Sequence, residues 1–179
     1  MKLYVVRHGQ TNWNAEHRAQ GKVDTNLNSK GIEQAKKVKE ILKEKQIDFI
    51  ISSPLKRAIQ TAMVINEDRK LPILLDDRIS ERDLGGLQGE KIEEIDFKTL
   101  WVYSDRSYKN VESTKELFQR VYTFMESIKK QYMNKHILLV THGGVSVPIH
   151  CYFHGTPKNK DLGEFILENC EIAEYETEE

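Results

Sequence analysis

Short apolar runs that end abruptly at polar, glycine-bearing steps recur along the chain, and between them apolar residues return every three or four positions. Lys2-Leu3-Tyr4-Val5-Val6 stops at Arg7-His8-Gly9, which predicts a buried strand running into a loop. Ile32, Ala35, Val38, Ile41 and Leu42 then recur at helical spacing, with Ser29 as a cap and Glu33 four residues before Lys37. Phe49-Ile50-Ile51 reads as a second strand. Ser53-Pro54 follows as N-cap and first-turn proline of a helix to about Ile65, with Arg57 in its first turn. Pro72 to Leu75 reads as a third strand. Ser113 and Glu116 form a capping box ahead of a core-facing stripe of Leu117, Val121, Phe124, Met125 and Ile128. His136 to Thr141 is the fourth strand and ends at His142-Gly143-Gly144. Pro148 is expected early in the next helix, and Glu171 to Thr177 form a last edge strand.

Strands alternating with helices predict an α/β fold: a three-layer α/β/α arrangement on an open, mostly parallel sheet. No repeat or Pro/Ser-rich linker divides the chain, so residues 1–179 are expected to form one domain. The stretch from about Asp76 to Asn110 carries charge, glycine and aromatics without periodicity and is expected to be an inserted lid. Open sheets of this kind bind ligands beyond the carboxyl ends of their strands, where Arg7, His8, Arg57 and His142 would converge.

Composition narrows the partners. With 27 basic and 28 acidic residues among 179, the net charge is -1, and nothing points to nucleic acid or to an anionic membrane. No apolar run approaches the roughly 18 residues of a membrane span. Cys151 and Cys170 share no C-x-x-C spacing and no signal-peptide pattern opens the chain, so a reducing cytoplasm is expected.

Two histidines and two arginines at strand ends and a helix start make a concave cationic site suited to a dianionic phosphoryl group, whose oxygens arginine forks bind bidentately. Neighbouring arginines would push a histidine below its usual pKa of about 6.5 and leave a neutral, nucleophilic imidazole. The second histidine would stabilise the equatorial oxygens, charged or hydrogen-bonding. A leaving alkoxide needs a proton, for which Glu81 and Asp83, beside the glycine-rich stretch Gly85 to Gly89, are the candidates; the residues themselves do not choose between them.

Arg7-His8-Gly9-Gln10-Thr11-Asn12-Trp13-Asn14 resembles the signature of the histidine phosphatase superfamily, which includes cofactor-dependent phosphoglycerate mutase and many small phosphatases. The resemblance extends to Gln20-Gly21, to Leu27 through Ala35, to Ser52 through Ala62 and to Thr141-His142-Gly143-Gly144. It implies His8 as the phosphorylated nucleophile, with Arg7, Arg57, His142, Asn14, Gln20, Gly21 and Gly143 around the phosphate. The block Arg78 to Gly89 resembles the one that carries the family's proton donor, which puts that role on Glu81 and leaves Asp83 at the rim. No metal and no cofactor is implied, and the substrate would be a small phosphorylated metabolite. True mutases of the family are generally longer and carry a paired-arginine segment; no Arg-Arg pair occurs here, so the resemblance favours a phosphomonoesterase. A mutase and a non-catalytic phosphate-ester binder are the rival readings.

Other residues offer less. His150 and His154 lie four apart on a helix, but no acidic residue lies between them and no third ligand is evident, so packing or capping is expected. His17 and His136 are expected to be solvated, the alternative for His17 being a place at the pocket rim through the loop it shares with Asn14, and Trp13 and Trp101 either wall the substrate or pack. Gly85, Gly86 and Gly89 match neither a P-loop nor a dinucleotide loop.

Overall fold

The computed structural model describes residues 1–102, 105–158 and 161–177. Along the chain lie β1 (Lys2–Arg7), α1 (Asn12–Ala15), α2 (Ser29–Ile41), β2 (Phe49–Ser52), α3 (Lys56–Ile65), β3 (Ile73–Leu75), α4 (Phe97–Leu100), α5 (Thr114–Gln131), β4 (His136–Thr141), α6 (Gly143–His154) and β5 (Ile172–Glu176). The five strands form one sheet in the order β3-β2-β4-β1-β5, parallel except for β5, which runs antiparallel along the β1 edge. This is the mostly parallel α/β sheet that the alternating pattern predicts.

The period-two alternation of the strands divides the core into two layers. Leu3 and Val5 of β1 and Ile137 and Leu139 of β4 face α5 and α6, where Leu117, Val121, Phe124 and Ile149 are wholly buried. Tyr4, Val6, Leu138 and Val140 face the other way, onto Val38 of α2 and Ala58, Ala62 and Ile65 of α3. Each fully buried aliphatic or phenyl side chain contributes about 1.5–3 kcal/mol, enough to hold helices on both faces of a sheet.

The cap of α5 forms as expected: Ser113 Oγ accepts from Glu116 N at 3.2 Å and Ser113 N donates to Glu116 Oε2 at 2.9 Å. Three other expectations shift. Asn28, not Ser29, caps α2, accepting from Gly31 N at 2.9 Å, and Ser29 is already helical. Ser53 and Pro54 precede α3, whose N-cap is Leu55 without a side-chain bond; the Ser53 hydroxyl accepts from Leu55 N at 3.3 Å and lies 2.7 Å from His142 Nε2. Pro148 is the sixth residue of α6, not an early one, so it removes one internal hydrogen bond.

The segment after β3 winds through 3-10 turns at Asp77–Ile79, Gly85–Leu87 and Ile92–Glu94 into α4. Leu84, Leu87, Ile95, Leu100 and Val111 pack with Ala19 into a small apolar cluster of their own. Tyr103 and Ser104, within the expected lid, lie outside the described residues. Among the described residues no helix is long and apolar enough to cross a membrane.

Candidate functional site

Strand register decides which side chains meet. Arg7 pairs with Thr141 across parallel β1 and β4, and His8 N donates to Thr141 O at 2.9 Å, so the residues leaving the two strands emerge side by side. The His8 and His142 rings are 5.1 Å apart, tilted at 59°. β2 flanks β4 on its other side, and the helix that follows it delivers Arg57 beneath both rings, fully buried.

Each of the three guanidinium nitrogens of Arg57 makes one hydrogen bond. Its Nε donates to His8 Nε2 at 3.2 Å, Nη1 to Val23 O at 2.8 Å and Nη2 to Gly21 O at 2.8 Å. Gly21 can offer that carbonyl because it takes a φ of 52°, and a β-carbon there would lie 2.4 Å from Gln88 Oε1. Burial lowers Arg57 to a pKa of about 10, opposed by Glu81 and Asp24, so it stays cationic at neutral pH. Arg7 donates from Nη1 to Leu167 O at 2.7 Å, while its buried Nε has no partner among the described residues.

His8 Nδ1 lies 2.7 Å from the carbonyl oxygen of Gly9. A carbonyl only accepts, so Nδ1 carries the hydrogen and Nε2 holds the lone pair that meets Arg57. Burial pushes His8 well below the usual histidine range, and Arg57 and Arg7 push further in the same direction. Desolvation thus exceeds the arginines that the sequence alone suggested as the cause. His142 is lowered well below that range for the same first reason, then by Arg57, His8, Arg7 and Arg120, so of its two expected roles the neutral, hydrogen-bonding one fits.

Glu81 reaches the site from the turn after Ile79. Its Oε1 accepts from Arg82 N at 2.8 Å and from Gly144 N, at the start of α6, at 3.1 Å. Position 144 must lack a side chain for this, since a β-carbon there would lie 2.4 Å from the same oxygen. Arg120 holds the turn from below, donating to Arg78 O at 2.6 Å and to Glu81 O at 3.3 Å while paired with buried Glu112. Asp83 points elsewhere: its carboxylate accepts from Gly85 N and lies 3.6 Å from Arg106, and it does not line the cavity, contrary to the rim position expected.

A cavity of about 530 Å³ opens above these groups. Arg7, His8, Asn14, Gln20, Gly21, Glu81 and Gly143 line it; Arg57 and His142 lie one layer down, against His8. Asn14 Oδ1 accepts from Thr11 N at 3.1 Å, and Gln20 Oε1 from Thr11 Oγ1 at 2.9 Å and Thr25 Oγ1 at 2.6 Å, so both amides are held in place. His17 and Trp101 also line the cavity, whereas Trp13 packs under Gly89. His150 stacks on Phe165, ring centroids 4.2 Å apart. Among the described residues no group of three or more His, Cys, Asp or Glu side chains is arranged to hold a metal ion.

Sequence reasoning missed several contributors. Ser53 Oγ lies 2.7 Å from His142 Nε2. Thr61 receives Gly9 N at 3.0 Å and donates to Arg57 O at 2.7 Å, tying the loop after β1 to α3. Asn169 Nδ2 donates to His8 O at 2.9 Å, and Gly163, Ile166 and Glu168 join it as cavity wall. Thr61 lay inside a motif block already noticed; the stretch from 163 to 169 has no periodicity to mark it.

Comparison with known proteins is consistent with this geometry. The family model described as "Histidine phosphatase superfamily (branch 1)" matches residues 3–179. An uncharacterized phosphatase, PhoE, of Bacillus subtilis is 41% identical over 95% of this chain and 88% of its own length. Phosphoserine phosphatase 1 of Hydrogenobacter thermophilus is 33% identical over 98% of this chain and 84% of its own. Among solved structures, Bacillus stearothermophilus YhfR superposes with a TM-score of 0.84 at 27% identity, covering 99% of this chain and 91% of that one.

Proposed function

Because this chain belongs to branch 1 of the histidine phosphatase superfamily and is a phosphoric monoester hydrolase, we propose that it works through a phosphohistidine on His8, without a metal. The observation that carries this reading is the tautomer of His8: with Nδ1 donating to Gly9 O, the Nε2 lone pair points at the guanidinium that would grip a phosphoryl oxygen.

In the first step Nε2 attacks phosphorus and the P–O bond to the alcohol breaks. Glu81 gives its proton to the leaving oxygen, and Arg57 shifts its Nε–H from the imidazole to a phosphoryl oxygen. In the second step the Glu81 carboxylate takes a proton from water, the water oxygen attacks phosphorus, and the N–P bond breaks to release inorganic phosphate. Arg7, Arg57 and the His142 ring stabilise the equatorial charge in both steps, with Asn14, Gln20, Gly21 and Gly143 shaping the pocket.

The outer cavity favours a monoester whose alcohol has an apolar body, since Leu84, Phe97, Trp101 and Ile166 form its walls. Of the guanidiniums lining the cavity besides Arg7, Arg18 is engaged by Glu16 at 3.0 Å and by Gly89 O at 2.8 Å, and Arg82 by Glu112 O and Leu100 O, each at 2.8 Å, which leaves both poorly placed to bind a substrate carboxylate. The stretch from 76 to 110 acts as lid of this chamber, and small phosphorylated metabolites of the cytoplasm are its substrates. The two free thiols, Cys151 and Cys170, suit a reducing compartment.

The test is phosphate release from a panel of monoesters in EDTA, with an assay for an acid-labile, base-stable phosphoenzyme on the wild type and on His8→Ala. Turnover with a His8-dependent phosphoenzyme is expected. Turnover that EDTA abolishes, or that survives in His8→Ala, would refute the mechanism.

A further inference from the structure

Ser53 follows β2 and is fully buried, with its Oγ 2.7 Å from Nε2 of His142. Between a hydroxyl and an imidazole nitrogen either partner can donate, and the direction decides which ring nitrogen of His142 carries the hydrogen. The bonds around Ser53 favour one direction. Leu55 N donates into Ser53 Oγ at 3.3 Å, so the hydroxyl already accepts, and among the described residues His142 Nε2 is the acceptor within reach of its hydrogen. If Nε2–H donated instead, the hydroxyl hydrogen would be buried without an acceptor, which folded proteins seldom tolerate.

The other ring nitrogen points to the same arrangement. Nδ1 of His142 is buried and has no hydrogen-bond partner among the described residues. Ring geometry turns it away from Ser53, and the ring itself packs 5.1 Å from that of His8, beside two arginines. A lone pair at Nδ1 would repel a phosphoryl oxygen, whereas an N–H there would bind one and end its isolation.

We infer that Ser53 is a positioning residue: its hydroxyl donates to His142 Nε2, fixes the Nδ1–H tautomer, and so turns His142 into a neutral hydrogen-bond donor to the phosphoryl group. The role given to that phosphoryl group rests on the phosphohistidine reading of His8. The serine therefore does for His142 what the Gly9 carbonyl does for His8, with the opposite sense: one ring is set to attack, the other to donate.

Nitrogen-15 NMR of histidine-labelled wild type at neutral pH, with His142→Gln to assign the signal, reads the tautomer directly. The hydrogen is expected on Nδ1; a hydrogen on Nε2 would overturn the inference. In Ser53→Ala the ring is freed to populate both tautomers. Turnover and orthovanadate affinity should then fall together by about 10- to 100-fold, less than the roughly 10²–10³ of deleting a donor to a developing charge outright, because the Nδ1–H tautomer stays partly populated. The loss should be equal for alkyl and aryl phosphates, because His142 acts on phosphorus and not on the leaving group. Ser53→Thr, which keeps the hydroxyl, should restore the Nδ1–H signal and most of the activity. Unchanged vanadate affinity and turnover in a folded Ser53→Ala protein would refute the role; if that variant does not fold, the wild-type and Ser53→Thr spectra decide. Vanadate binding that depends on Ser53 in a protein that forms no phosphoenzyme would sink the His8 mechanism and leave this inference standing.

Discussion

Mild acid should weaken this fold before it touches its carboxylates, and the reason lies in the two buried imidazoles. Folding lowers the pKa of both His8 and His142 well below the usual value, chiefly by burial. As pH falls through about 6.5 the unfolded chain gains two protons that the folded chain refuses, so stability is fully present above that pH and is lost below it. While both folded-state rings stay neutral, the slope approaches about 2.7 kcal/mol per pH unit. Between about pH 7 and about pH 5.5 the loss sums to about 2.5 kcal/mol, a large part of the 5–15 kcal/mol of a typical domain. Carboxylates such as Glu116, which Arg106 and Ser113 hold at about 2, enter only at lower pH, where their unfolded counterparts titrate. Urea unfolding at stepped pH values measures the slope, and His8→Gln should roughly halve it. A midpoint that stays level across this window, or a slope that His8→Gln leaves intact, would refute the reasoning.

Two further outcomes concern the proton donor. Glu81→Gln keeps a side chain able to accept from Gly144 N but carries no transferable proton; hydrolysis of alkyl phosphates should fall by about 10²–10⁴, with a much smaller loss for an aryl phosphate whose leaving oxygen needs no proton, as parallel rate measurements would reveal. Gly144→Ala puts a β-carbon 2.4 Å from Glu81 Oε1 and should displace that carboxylate, so it should reproduce the leaving-group dependence of Glu81→Gln while leaving vanadate affinity within about threefold; an alkyl-to-aryl rate ratio like that of wild type would count against the placement of Glu81.

Legibility in the sequence followed the physics of each segment. β1 and β4 were readable because both faces of each strand are buried, which makes them continuous apolar runs that stop where the backbone leaves the sheet. The cap of α5 was readable because Ser113 and Glu116 satisfy each other's backbone amides within three residues. Asn28 and Ser29 are near-equal capping residues, and local pattern cannot rank them; a long-range bond from Asn28 Nδ2 to Gln10 Oε1 at 3.1 Å helps hold the cap. Ser53 was misread for a related reason, since nothing in Ser-Pro shows that a histidine 89 positions later needs the hydroxyl. The segment from 163 to 169 contributes to the site through the backbone carbonyl of Leu167, which leaves no residue-type signal, and through the side-chain amide of Asn169, which stands in no periodic pattern or motif that would single it out.

The two ends of the cavity are built from different material. Strand ends and helix starts supply the phosphate end, where Arg7, His8 and Arg57 are each held by a bond to a backbone carbonyl. Phe97 and Trp101, at the two ends of α4, lie outside the sheet and face the chamber, whereas Ile166 reaches down to Gly143 beside Arg7. A substitution at Phe97 or Trp101 can reshape which alcohol fits without disturbing the bonds that hold phosphorus in line. In an evolving lineage such a division lets substrate preference drift while the chemistry stays fixed, and it marks these side chains as the ones to vary in a library aimed at new esters.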